Sequence, residues 1–186
     1  MHKFLLVVGV VSLMALGVGI SANPAQAATE CNGTVTGTIS GGLVVHPGDN
    51  CNVQSATVSG AIIMDGGTLT VCDSTIDGSV IVRVTGADSA SSWVNFANLE
   101  QGCGGNNVSG TVNISGVQGV IPGDELGSSV ELEHNTIGGS LIVSDNGLTE
   151  VESNTVVGSA HCNGPTTNFF NFLGPNVYAS NHGCPA

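Results

Sequence analysis

From about residue 30 onward, apolar and polar residues alternate in short bursts, and each burst runs through a glycine. One pattern recurs six times: a β-branched residue, any residue, glycine, any residue, an apolar residue, any residue, an apolar residue. Its copies span Ile39–Val45, Val58–Met64, Ile76–Val82, Val108–Ile114, Ile137–Val143 and Val156–Cys162. The anchoring glycines are Gly41, Gly60, Gly78, Gly110, Gly139 and Gly158, separated by 19, 18, 32, 29 and 19 residues. The two long gaps read as one repeat plus an insertion, around residues 86–105 and 117–128. Val53, Val71, Leu132 and Val151 stand seven residues before a glycine, and Thr57, Thr75, Thr136 and Thr155 stand three before. Asn106, Asn135 and Asn154 stand four before, in the later copies.

Alternation with period two predicts strands, here of roughly five residues. Glycine or asparagine marks the corners, as expected where a tight turn demands positive φ. Short strands repeated every 18–19 residues predict an all-β fold, a single-domain parallel β-helix. One repeat cannot bury its apolar face alone, but a stack of repeats encloses a continuous core. The asparagines would then form a ladder along one corner. An antiparallel sandwich or barrel shows the same alternation. Two-residue hairpin signals are few, however, and a fixed glycine period has no reason to exist there.

The first 27 residues stand apart. Met1-His2-Lys3 is a short basic start, Phe4 to Ile20 is apolar, and Ala25-Gln26-Ala27 is a small-residue cleavage site after Pro24. This is the pattern of a cleaved signal peptide at 1–27; an uncleaved membrane anchor is the alternative, at the short limit for a span. Cleavage leaves a β-helix domain at 28–186 with no further long apolar run, so the mature chain is expected to be secreted. All six cysteines fall in it, which in an exported chain reads as three disulfides. Cys31 and Cys51 are about one repeat apart. Cys162 and Cys184 bracket an aromatic segment, read with the C-terminus as a cap at 163–186. Cys72 and Cys103 would then staple the first insertion. Stapled ends suit a solenoid, whose open ends must be covered.

Charge narrows the function. The chain has 14 acidic and two basic side chains, Lys3 and Arg83. Removal of Lys3 leaves one cation against 14 anions, a net charge of −13. A P-loop or Schiff-base lysine is missing, and one arginine cannot neutralise a nucleic-acid backbone. HExxH, GxSxG, CxxC and GxGxxG are all absent. Taken together, the signal peptide, the Cys31-Asn-Gly-Thr-Val-Thr-Gly-Thr-Ile39 segment, Cys51, the Thr-(Val/Ile)-x-Gly repeats and Cys162 with Cys184 resemble the small exported right-handed β-helix proteins of actinobacteria. That family is of uncharacterised function and implies no catalytic residues. The repeat is also similar to that of bactofilins, which lack this export signal and these cysteines.

The sharpest polar feature comes from the repeat register. If Leu132 and Val151 point inward, Glu131, Glu133, Glu150 and Glu152 point outward, with Glu131 beside Glu150 and Glu133 beside Glu152. Neighbouring strands lie about 4.8 Å apart, too close for joint ionisation without a penalty. Three readings follow: a solvated acidic face, a calcium site built from hard oxygen ligands, or an acid–base carboxylate pair. The expectation is a convex, exposed ladder without a cleft, with His134 and Glu133 as a surface pair. His46, His161 and His182 show no ligand spacing. Asp65-Gly-Gly and Asp145-Asn-Gly read as turns. Phe169, Phe170, Phe172, Tyr178 and Trp93 are expected to fill a small cap core, with Trp93 and Tyr178 open as sugar-stacking residues.

These observations give a secreted, non-enzymatic structural or adhesive surface protein. Its partner would be the cell envelope or an extracellular polymer. No cofactor is expected apart from calcium at the four glutamates. The rivals are a carbohydrate-active β-helix enzyme on acidic polysaccharide and a calcium-dependent surface binder. Fold analogy cannot choose among them.

Overall fold

The computed structural model describes residues 27–164, 169–172 and 174–186. Its strands form one 18-stranded sheet, not closed, in which every strand pairing is parallel. The sheet winds as a β-helix with three faces. The first carries Thr68–Cys72, Trp93–Phe96, Val130–Glu133 and Thr149–Glu152. The second carries the two-residue strands Thr75–Ile76, Asn107–Val108 and Thr136–Ile137. The third carries Leu43–Val45, Ile62–Met64, Val80–Arg83, Val112–Ser115 and Leu141–Ser144. Asn50–Val58 and Thr155–Asn163 are long enough to turn a corner and serve two faces.

In-register stacking places like on like. Val53, Val71, Phe96, Leu132 and Val151 form one column, every member fully buried. Val58, Ile76, Val108, Ile137 and Val156 form a second on the adjoining face. Phe96 breaks the sequence pattern, because the insertion that follows it pushes Cys103 into the position seven residues before Gly110. The core column itself is uninterrupted. Both insertions thus leave between strands and rejoin without disturbing the register.

The asparagine ladder forms as expected. Asn135 Oδ1 accepts from Asn106 N–H and from Asn106 Nδ2, each at 3.0 Å. Asn154 Oδ1 does the same for Asn135, and Asn176 Oδ1 for Asn154, at 2.9 and 3.0 Å in both cases. Each Nδ2 also donates to a main-chain carbonyl: Val71, Phe96, Leu132 and Val151 in turn. All four side chains are buried, so the ladder satisfies corner groups that water cannot reach. Ser74 takes the same position below: its N–H donates to Asn106 Oδ1, and its Oγ accepts from Ala56 N–H at 3.1 Å.

The glycines act differently from expectation. None of the six anchoring glycines has positive φ. A Cβ on Gly139 would lie 2.7 Å from the carbonyl of Gly110, and one on Gly78 would lie 2.6 Å from that of Gly60. They are glycines because neighbouring turns touch backbone to backbone. Positive φ falls instead on Ser55, Asp73, His134 and Ser153, at 46°, 50°, 54° and 52°. Each directly precedes a ladder position, where the hydrogen-bonded corner holds it.

All three disulfides pair as expected: Cys31–Cys51, Cys72–Cys103 and Cys162–Cys184. The C-terminal segment is more than a plug. Phe169–Phe170 and Val177–His182 extend the sheet by another turn. Only the last residues cross the open core, where Tyr178 donates its hydroxyl to the Pro185 carbonyl at 2.8 Å and Cys184 is buried. The segment 1–27, expected to be a signal peptide, lies outside the described residues apart from Ala27. Among those described, no helix is long and apolar enough to cross a membrane.

Two substitutions test this account by thermal melting. Asn135→Ala orphans the Phe96 carbonyl and the Asn106 N–H, at about 1–3 kcal/mol for each buried group. Gly139→Ala forces the turns apart at about 1–3 kcal/mol. Thr136→Ala, exposed on the adjacent strand, should leave the melting temperature nearly unchanged. A neutral Asn135→Ala would show that the ladder contributes nothing.

Candidate carboxylate site

The register of the four glutamates is the expected one: Glu131 pairs with Glu150, and Glu133 with Glu152. Their environment is not. The exposed acidic ladder is replaced by a buried one, with relative exposures of 1, 2, 6 and 1 % for Glu131, Glu133, Glu150 and Glu152. The cause lies in the insertions and the C-terminal segment, which fold across the outside of the first face and roof it. The Asn98 amide donates to Glu131, and the Leu99 N–H donates to Glu133 Oε2 at 2.8 Å. The Ser128 hydroxyl donates to Glu150, and the Phe172 N–H to Glu152. The convex surface therefore becomes a pocket of about 200 Å³, lined by Glu133, Glu150, Glu152, Glu100, Asp124 and Phe172 among others.

The roof is built to hold its shape. Asn98 and Cys103 exchange main-chain hydrogen bonds of 3.0 and 2.8 Å, closing a tight loop. The Cys72–Cys103 disulfide ties that loop to the first face. Within it Leu99–Gln101 makes one 3-10 turn, capped by the Asn98 side chain and ended by left-handed Gly102. In the second insertion Asp124 accepts the Ser128 N–H, which sets the Ser128 hydroxyl toward Glu150.

Two groups of three carboxylates share Glu150. Asp124, Glu131 and Glu150 bring one oxygen each within 4.8 Å of one another, and so do Glu133, Glu150 and Glu152. Burial pushes the Glu131 carboxyl up to about 8; the Asn98 hydrogen bond opposes this, while Asp124 and Glu150 reinforce it. Burial likewise lifts Glu133 to about 7, against the Leu99 N–H and with help from Glu152 and Glu150. Glu150 is raised for the same reason, with Ser128 opposing. Arg83, the one arginine, stands on the third face beside Ser115. His134 turns outward and forms no pair with Glu133 among the described residues, contrary to expectation. Such a set offers only hard oxygen donors, which suit calcium or magnesium.

Asp124, Glu100, Ser128 and Asn98 were not singled out by the sequence pattern, because they sit in the two insertions, where the repeat gives no register. Acidic residues inside both insertions were the available signal. The histidines also group unexpectedly: His161 and His182 share a register and stack at 4.6 Å, and His46 Nδ1 meets Asp65 Oδ1 at 3.1 Å. Phe169 and Tyr178 pack on the core, as expected of a cap. Phe172 does not. It is 64 % exposed and stacks on Phe170 at 5.7 Å.

The raised carboxyls set a pH dependence. Folded Glu131 and Glu133 bind protons up to about 8 and about 7, whereas unfolded glutamate releases them near 4.5. The folded state therefore holds more protons in that interval. Its stability is full below about pH 4.5 from these groups and is lost as pH rises through 7 to 8. In chelator, the melting temperature is expected to fall across this range, and Glu131→Gln should flatten the fall. A melting temperature that climbs with pH would contradict the burial.

Known proteins do not narrow the chemistry further: no protein-family model matches the chain, and searches of curated proteins and of solved structures found no match.

Proposed function

We propose that this protein is an exported, non-enzymatic surface β-helix whose roofed carboxylate pocket holds a hard divalent cation, calcium foremost. The observation that carries this reading is a pocket of four buried glutamates, of which Glu131, Glu133 and Glu150 are met by neutral hydrogen-bond donors and by other carboxylates. Buried carboxylates must be neutralised by protons or by a cation. Calcium neutralises two charges at once and needs several oxygen ligands at 2.3–2.6 Å. At about 200 Å³ the pocket falls below the roughly 300–1,000 Å³ usual for small-molecule sites, which favours an ion with its waters. The three disulfides fit an oxidising compartment, and extracellular calcium is the cation such a site would meet. The ion would clamp both insertions onto the helix. The partner in this reading is the cell envelope or an extracellular polymer.

One observation favours a second reading, a carbohydrate-active enzyme on acidic polysaccharide. Carboxyls held in the protonated range beside other carboxylates in a cleft are what acid–base catalysis uses. Against it, a uronate would enter a strongly negative pocket, and Arg83 is on another face.

Calcium titrated into the chelated protein at pH 8 should raise its melting temperature. At a concentration near 100 Kd the gain is about 2.7 kcal/mol, several degrees for a domain of this size. Glu150→Gln removes the ligand common to both groups and should abolish the rise. An unchanged rise in that variant would remove calcium from this pocket. Turnover of polygalacturonate or alginate that disappears in Glu131→Gln would instead establish the enzyme.

A further inference from the structure

The insertions build a second concavity, at the entry to the first face. It has a volume of about 350 Å³ and is lined by Trp93, Pro122, Asp49, Asn50, Thr68 and Ser91, with Gly48 and Gly67 at its corners. Asn50, Thr68 and Trp93 stand in register on successive turns. Their neighbours Cys51, Leu69 and Val94 are fully buried, so alternation turns these three outward. Trp93 is partly buried against the core and partly open. Pro122 is brought into the same lining by close packing of the two insertions. Gly119 N–H donates to the Ser92 carbonyl at 2.8 Å, and a Cβ on Gly119 would lie 2.6 Å from that oxygen. Asp49 is fixed by accepting the His46 N–H through Oδ2 at 3.0 Å. The Asn50 side chain has no hydrogen-bond partner among the described residues.

We propose that this concavity is a subsite for an uncharged sugar residue of a polysaccharide. The indole offers a rigid apolar platform with a polar edge, and Pro122 adds a second apolar surface to the lining. A carboxylate beside an amide provides acceptors and a donor within one small space, the combination that pairs with adjacent hydroxyls. The volume falls inside the range of small-ligand sites. Charge excludes acidic sugars: the only ionisable group in the lining is Asp49, and the chain as a whole carries −12. Of the two residues that sequence left open for sugar stacking, Tyr178 spends its hydroxyl on Pro185, while Trp93 faces a pocket. This site is independent of the carboxylate pocket and needs no cation.

Trp93 is the only tryptophan in the chain, so its fluorescence reports the site directly. The full mature protein would be titrated with cellohexaose, mannohexaose and chitohexaose, in calcium and in chelator, with hexagalacturonate as the charged control. A saturable change in emission with at least one neutral oligosaccharide is expected, equal in calcium and chelator. Asp49→Asn, at a side chain outside the core, should weaken it by about tenfold, and Trp93→Ala, which also removes packing on the core, should abolish the heat of binding. No response to any neutral oligosaccharide up to about 10 mM, beyond the affinity of a useful site, would overturn the proposal. So would affinity undiminished in both variants. A response to hexagalacturonate alone, lost in chelator, would move sugar binding to the carboxylate pocket and support calcium there instead.

Discussion

Parallel strands stacked in register confront every side chain with its counterpart one turn away, at about 4.8 Å. What a column contributes then depends on the chemistry of that meeting. Valine and isoleucine columns gain burial. Asparagine columns gain more, because an amide carries both donor and acceptor and can bond upward and downward at once. Asn106, Asn135, Asn154 and Asn176 do this without leaving an amide group unpaired. Glycine columns allow backbone contact that any Cβ would prevent. A glutamate column gains nothing from stacking, since two acceptors of like charge face each other. Its presence at 131/150 and 133/152 sets the local geometry against stability, and such conflicts are expected where function intervenes.

Stacking alone would leave those glutamates in water, where the conflict is mild. The insertions and the C-terminal segment make it severe by covering them. Each covering segment contributes a hydrogen-bond donor: Asn98 and Leu99 from the first insertion, Ser128 from the second, Phe172 from the C-terminal turn. The donors on Glu131, Glu133 and Glu150 do not replace the hydration that burial removes, so all three remain raised. The Cys72–Cys103 bond matters for the same reason. It fixes a loop that the unneutralised carboxylates would otherwise push away.

What the sequence made legible follows the period. The fold, the core columns, the corner ladder and the glutamate register depend on residues separated by whole turns, and spacing reveals them. The disulfides were legible from a near-repeat spacing for Cys31 and Cys51, the bracketed aromatic segment for Cys162 and Cys184, and elimination for Cys72 and Cys103. The pocket escaped because its roof is aperiodic. Nothing in the spacing of Asn98, Asp124 or Phe172 says which face they cover. The same limit explains the histidine stack, since His161 and His182 are 21 residues apart, off the period of 18–19. The role of the glycines was misread for another reason. Positive φ is a property of one residue, whereas the contact between Gly110 and Gly139 exists only between two turns.

Repeats and insertions thus carry separate burdens. The inward columns of the repeats ask only for size and polarity, so at those positions one repeat can stand in for another with little consequence beyond packing. The insertions are unique, and they shape both the acidic pocket and the concavity beside Trp93: Glu100 and Asp124 line the first, Ser91 and Pro122 the second. A single insertion loop spans both, since Pro122 lies two residues from Asp124. Gly119 packed on Ser92 and Ser128 bonded to Glu150 fix its two ends. The loop is therefore seated by a backbone contact that does not titrate at one end and by a carboxylate that does at the other. Charge at Glu150 can alter the acidic pocket while Pro122 keeps its place beside Trp93.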